Sequence, residues 1–324
     1  MFWLLLVYFI IIGLCVGSFL NVVVLRGLSG ESIVLTPSHC TKCDHKLAWY
    51  DNIPVLSYLF LRGKCRYCSE KISPQYPLVE LFTALVFVGI YLKYGMTLNT
   101  VCLLFAASTC IVMAVTDIKE KVILDGHAYF LAVLGLVYNF FNIAGENTTK
   151  LSFWISNINI SLHQSFIYSL LGLFLGFGVM ASITWVAKLI TKKECFGSGD
   201  AYILGALGAF WGISNAIVIL IISIFIWGGM AIPFFLYKWF KNKNYKLFFS
   251  TILFITSAIL FNIGQYLNIF TSDLFKWFAF LLIASIGFYT CKLLVSSIRE
   301  GNNLTMIPYG PALIFGAFVI LFLL

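Results

Sequence analysis

Phe196-Gly197-Ser198-Gly199-Asp200-Ala201-Tyr202-Ile203-Leu204-Gly205-Ala206-Leu207-Gly208 sets an aspartate behind two glycines at the mouth of an apolar helix. A carboxylate at the edge of a bilayer is costly to desolvate, so an acidic residue in such a place points to function. In the competing structural reading Asp200 is only the N-cap of that helix, with Gly199 giving the tight entry. The rest of the chain decides between them.

The 324 residues are 61% hydrophobic and 10% charged, whereas an average soluble domain is about one-quarter charged. A soluble globule is excluded. At roughly 20 residues per span, the chain is predicted to be all-α, a polytopic transmembrane helical bundle of about eight to ten spans. Apolar runs place these near residues 2–25, 77–94, 98–116, 126–143, 165–188, 201–212, 214–237, 247–270, 274–294 and 309–324. Residues 1–25 lack a basic leading region and a small-residue cleavage site, so they read as a retained first span.

With the first connection in the cytoplasm, all of the 21 basic residues except Lys93, Lys150 and Lys276 fall on the inner side. The positive-inside rule then puts the N-terminus outside. The net charge of +8 is a topology signal, with membrane lipids as a secondary partner. No nucleic-acid partner is needed to explain it. Asn147-Thr148-Thr149 and His163 lie in an outer loop and carry no assigned chemistry.

The long polar segment, residues 27–76, holds Cys40-Thr41-Lys42-Cys43 and Cys65-Arg66-Tyr67-Cys68. Two C-x-x-C pairs at this spacing predict a four-thiolate structural zinc site made by Cys40, Cys43, Cys65 and Cys68. A cytosolic location keeps thiols reduced and favours metal over disulfides. His39 and His45 adjoin the first pair and read as solvated loop residues, because four sulfurs complete the shell. Pro54, Pro74 and Pro77 predict an irregular, rigid segment without helices.

Five ordered motifs carry a resemblance: Gly17-Ser18-Phe19-Leu20-Asn21-Val22, the two knuckles with the text between them, Tyr76-Pro77-Leu78-Val79-Glu80, Gly197-Ser198-Gly199-Asp200, and Ile307-Pro308-Tyr309-Gly310-Pro311. The sequence resembles the bacterial type IV prepilin peptidases, bifunctional leader peptidases and N-methyltransferases of the Gly-x-Gly-Asp membrane aspartic protease group. The likeness covers about residues 13–237 and resumes near 307. It implies a first span (1–26), a methyltransferase-associated zinc-knuckle segment (27–76), a membrane peptidase core (77–237), extra spans of unassigned role (238–306) and a closing motif with the last span (307–324). It also implies S-adenosylmethionine as methyl donor and, as partners, prepilin or pseudopilin substrates with hydrophobic N-terminal helices. The setting would be the bacterial inner membrane, with chemistry at the cytoplasmic border.

A second carboxylate is found by elimination among thirteen acidic residues. Glu80, Asp117, Glu120 and Asp125 remain near the inner border. Asp117 ends the third span on the same side as Asp200, and two carboxylates meeting there could share one proton, one acting as base on water and the other as acid. The resemblance agrees, since the family's first catalytic aspartate stands at this place. Asp125 matches a second family aspartate but fits an N-cap equally well. Glu80 reads as a helix cap, and a solvated Asp117 pairing with Lys121 is its bland alternative.

Two departures stand out. Thr41 replaces a frequent proline in the first knuckle, and Ala201-Tyr202 lacks a lysine common after the catalytic aspartate. Two rival functions remain in view: a transporter whose aspartates line an ion path, and a catalytically inactive zinc-organised scaffold. Cleavage of other membrane helices, as in the presenilin-like branch, is disfavoured by the knuckles.

Overall fold

The first helix, α1 (Phe2–Ser29), is apolar throughout and pairs with α3 (Gln75–Tyr94). Glycine makes this seam close: a Cβ on Gly13 would fall 2.5 Å from the Ala84 Cα, and one on Gly17 2.7 Å from the Glu80 Cα. Small residues let helix backbones approach where lipid supplies no hydrophobic drive. Gly13→Val is therefore expected to force the pair apart at about 1–3 kcal/mol, read as a lower unfolding midpoint in detergent.

The computed structural model describes residues 2–34, 37–141, 164–192, 197–266, 273–299 and 308–323. The outer-loop residues Asn147 and His163, and Ile307 of the closing motif, lie outside them. Between α1 and α3 run a 3-10 turn (Trp49–Asn52) and the short α2 (Leu56–Phe60). The expectation of a helix-free segment is corrected here. Pro54 stops the 3-10 turn from continuing, and Val55 at φ +59° turns the chain into α2.

Then come α4 (Leu98–Glu120), α5 (Asp125–Phe140), α6 (Gln164–Thr191), α7 (Ser198–Lys241), α8 (Tyr245–Tyr266), α9 (Asp273–Arg299) and α10 (Gly310–Leu323). Seven of the described helices are long and apolar enough to cross a membrane, while α5 and α10 are shorter. The chain is a multi-pass helical membrane protein.

Within α7, Gly212 adopts φ +78° and ψ 171°, a conformation open to glycine because it has no Cβ. The chain reverses there. Ile203 before the break approaches Gly310, and Ser223 after it hydrogen-bonds Tyr309 at 2.6 Å. The two runs read from the sequence, 201–212 and 214–237, are thus the two arms of one bent element. Carbonyls released by the bend find side chains: Asn139 Nδ2 donates to the Ala209 and Phe210 oxygens at 3.2 and 3.0 Å, and Ser169 Oγ donates to Ala209. Such pairing is required where no water reaches the backbone.

Residues 1–181, 198–224 and 308–324 form one compact unit and residues 182–197 and 225–307 another. In the first, Val24, Val79, Ile111 and Val112 build a core between α1, α3 and α4. In the second, α8 and α9 pack together, with Ser250 Oγ donating to Thr290 Oγ1 at 2.9 Å. Everything described below as a site belongs to the first unit.

Candidate active site and thiolate cluster

Asp117 lies in the last turn of α4 and Asp200 in the first turn of α7, and each is only 5% exposed. The helix containing Asp200 is capped by Gly197, so Asp200 is not its N-cap. The entry is nevertheless tight, since a Cβ on Gly199 would meet Ile123 at 2.5 Å. Asp117 does not read as a solvated helix end. Its Oδ2 accepts the backbone N–H of Gly310 at 3.0 Å in a buried contact. Lys121 forms the left-handed C-cap of α4 through its backbone.

The turn Tyr309-Gly310 joins the two acids. A Cβ on Gly310 would fall 2.5 Å from Asp117 Oδ2 and 3.0 Å from Ile203 Cδ1, in the turn after Asp200. The Tyr309 hydroxyl, bonded to Ser223, lies within electrostatic reach of the Asp200 carboxylate. Asp125 is the first residue of α5 and is exposed. Tyr309 stands in the closing motif of the sequence, but nothing in the sequence marks its partner Ser223, which only the fold brings to it.

Glu80 is not a cap. Helix α3 begins at Gln75 behind Pro74, which leaves Glu80 in the second turn, buried. Its Oε2 accepts the Val55 N–H at 2.7 Å. The polar segment is thereby fastened to a membrane helix by a charge-assisted bond. Asn21 of α1 ties that helix to the first turn of α3, donating to the Tyr76 carbonyl at 3.2 Å.

The knuckles are two copies of one turn. In the first, Asp44 N–H donates to Cys40 O at 2.9 Å and Cys40 N–H to His45 O at 3.0 Å; in the second, Ser69 N–H donates to Cys65 O at 2.9 Å and Cys65 N–H to Glu70 O at 2.8 Å. Each turn needs a left-handed residue, Asp44 at φ +53° and Ser69 at φ +60°. Zn–S bonds of about 2.3 Å set the sulfurs of a tetrahedral site about 3.8 Å apart. The four Sγ atoms of Cys40, Cys43, Cys65 and Cys68 lie within 4.8 Å of one another, with Cys40 and Cys68 3.9 Å apart. The donor set fits a zinc ion.

The Cys65 thiol is drawn down to about 7 by the backbone N–H groups of Cys68 and Tyr67. At Cys68 the Glu70 N–H favours the thiolate, yet burial and the neighbouring sulfurs push the group up to about 12. Several thiolates cannot share this space without a cation.

No local motif marks Asp51 in the sequence. Its side chain is 2% exposed and its carboxylate accepts from Arg66 Nε at 2.8 Å, Tyr67 Oη at 3.2 Å and the Ala48 N–H at 3.3 Å. The His45 ring lies tilted against Tyr67 with ring centres 3.6 Å apart, so this exposed histidine is a packing residue of the knuckles. Asp51 orients the second knuckle from outside the sulfur shell. Outer-shell partners of metal ligands are worth about 10–100-fold in affinity. Asp51→Ala is therefore expected to weaken zinc retention by about that factor, measured by competition with a chelator.

This fold and site define a class: a multi-pass helical membrane protein with two buried carboxylates gathered by one turn and a four-thiolate knuckle pinned to the same bundle. Residues 11–94 match the bacterial peptidase A24 N-terminal domain, and residues 104–232 match the type IV leader peptidase family. The chain is 36% identical over 204 residues to the prepilin leader peptidase/N-methyltransferase of Myxococcus xanthus, covering 63% of this chain and 55% of that protein. It is 33% identical over 208 residues to the like-named protein of Klebsiella pneumoniae, covering 62% and 82%. It is 31% identical over 218 residues to the type 4 prepilin-like proteins leader peptide-processing enzyme of Escherichia coli, covering 62% and 74%. No solved structure matches. The chain belongs to the type IV leader peptidase family.

Proposed function

We propose that the chain is a membrane aspartic endopeptidase that removes leader peptides from type IV prepilin-like proteins and then methylates the new N-terminus with S-adenosylmethionine. The observation that carries this reading is the burial of Asp117 and Asp200 around the single turn Tyr309-Gly310 in a member of this family. Asp117 and Asp200 are the catalytic pair. One carboxylate takes a proton from water as its oxygen bonds to the scissile carbonyl carbon; the other protonates the nitrogen as the C–N bond breaks, so no acyl-enzyme forms. The Gly310 amide holds Asp117 in place for this step.

Residues 77–237 and 307–324 supply the peptidase core, and residues 27–76 serve methylation. Zinc bound by the four cysteines would act as a structural cross-link in that segment. Substrates present a hydrophobic N-terminal helix that lies beside α4 and α7 in the lipid, with the scissile bond emerging at the border. The distribution of basic residues supports a border on the cytoplasmic side and an N-terminus outside, and family membership supports a bacterial inner membrane.

The test is purified enzyme with a candidate prepilin and S-adenosylmethionine, with products weighed by mass spectrometry. A mass loss equal to the leader, followed by a gain of one methyl group, is expected; an unprocessed substrate would overturn the reading. Gly310→Ala is expected to insert normally yet lower leader removal at least about tenfold, because the added methyl displaces the carboxylate by a distance that catalysis does not tolerate.

A further inference from the structure

Helix α2 leaves an apolar face uncovered. Leu56, Leu59 and Phe60 follow the i, i+3, i+4 rule for one helical face, and Leu59 and Phe60 are 62% and 83% exposed. Trp49, just before α2 in the chain, is 79% exposed. The opposite face is occupied, since Tyr58 packs under the Gly63 turn.

The depth of this face follows from one hydrogen bond. Val55, immediately before α2, is bonded to Glu80 in the second turn of α3. On α3 the exposed apolar side chains Leu78, Leu81 and Phe82 flank Glu80, so the lipid-facing band of that helix begins at this level. The five residues of α2 extend about 7.5 Å, too short to carry Leu59 and Phe60 out of the interfacial zone. Arg62, Lys64 and Lys71 line a cavity of about 440 Å³ where α2 ends. Apolar and aromatic side chains bordered by cations match the chemistry of an anionic bilayer surface.

We propose that α2 and Trp49 form an interfacial anchor that lays the thiolate-cluster segment onto anionic phospholipid, with Leu59 and Phe60 among the acyl chains and Arg62 and Lys64 at the headgroups. The inference rests on membrane insertion and on the Glu80–Val55 bond, and not on the peptidase reading. Its consequence for that reading is positional: methylation would take place at the membrane surface, where a freshly cut substrate N-terminus emerges.

The test places photoreactive p-benzoylphenylalanine at position 60 of the full-length chain in nanodiscs of phosphatidylglycerol and phosphatidylcholine, without substrate. Irradiation is expected to add one phospholipid mass to the peptide carrying residue 60, in a yield comparable with the same probe at Leu85, a lipid-facing site in mid-α3. The yield should fall severalfold when phosphatidylglycerol is omitted, or when Arg62→Glu and Lys64→Glu are introduced. Zinc content equal to that of the parent verifies that each variant is folded. A probe that forms no lipid adduct, or that reacts only with added prepilin, would overturn the proposal, and neither result depends on enzymatic activity.

Discussion

Asp117→Asn or Asp200→Asn is expected to lower leader removal by about 10²–10⁴-fold, the span attributable to one positioned acid or base, while the protein still inserts with the zinc content of the parent. Asparagine has the shape of aspartate, so at position 117 its carbonyl can still accept the Gly310 N–H. What it loses is the capacity to take up or give a proton, which separates the chemical role from a packing role. The measurement is the rate of leader cleavage from a purified prepilin, with zinc content as the folding control. Cleavage at the parental rate in either variant would remove that residue from the pair.

The second large effect is expected at the sulfur cluster. Cys65→Ser should take bound zinc from one ion per chain to nearly none and abolish methyl transfer, while leader cleavage falls far less. Cys65 is the buried member of the four. Structural zinc contributes about 10–16 kcal/mol in small zinc peptides, more than a polar segment with few buried apolar residues can replace. The two carboxylates, by contrast, stand on helices whose register is set by membrane packing. Elemental analysis of the purified protein checks the first part, and the methylated and unmethylated product masses check the second. Equal zinc in variant and parent would refute the metal assignment.

How far the sequence could be read depended on the distance between partners. Each C-x-x-C pair is a local turn, and its ligand chemistry is visible in four residues. Asp200 is marked by its local Gly-Ser-Gly-Asp stretch, and elimination among few acidic residues leaves Asp117 on a short roster that topology and the family resemblance rank. The bend at Gly212 was half visible: the run at 201–212 was too short for a usual span, but the positive φ was not foreseen. The contacts that finish the site were hidden, because they join distant stretches. Gly310 reaches Asp117, Val55 reaches Glu80 and Arg66 reaches Asp51, and no periodicity encodes such meetings. Glu80 was misread for a specific reason. Pro74 starts α3 earlier than the apolar run suggests, which moves the carboxylate from the cap into the body of the helix.

The amide that steadies Asp117 has a temporal consequence. A ribosome delivers α4 long before residue 310, so during synthesis the first carboxylate waits without its hydrogen-bond donor, and Asp200 waits without the neighbouring tyrosine. On the proposed assignment of the catalytic pair, the peptidase site is therefore completed only when the turn before α10 arrives, late in synthesis.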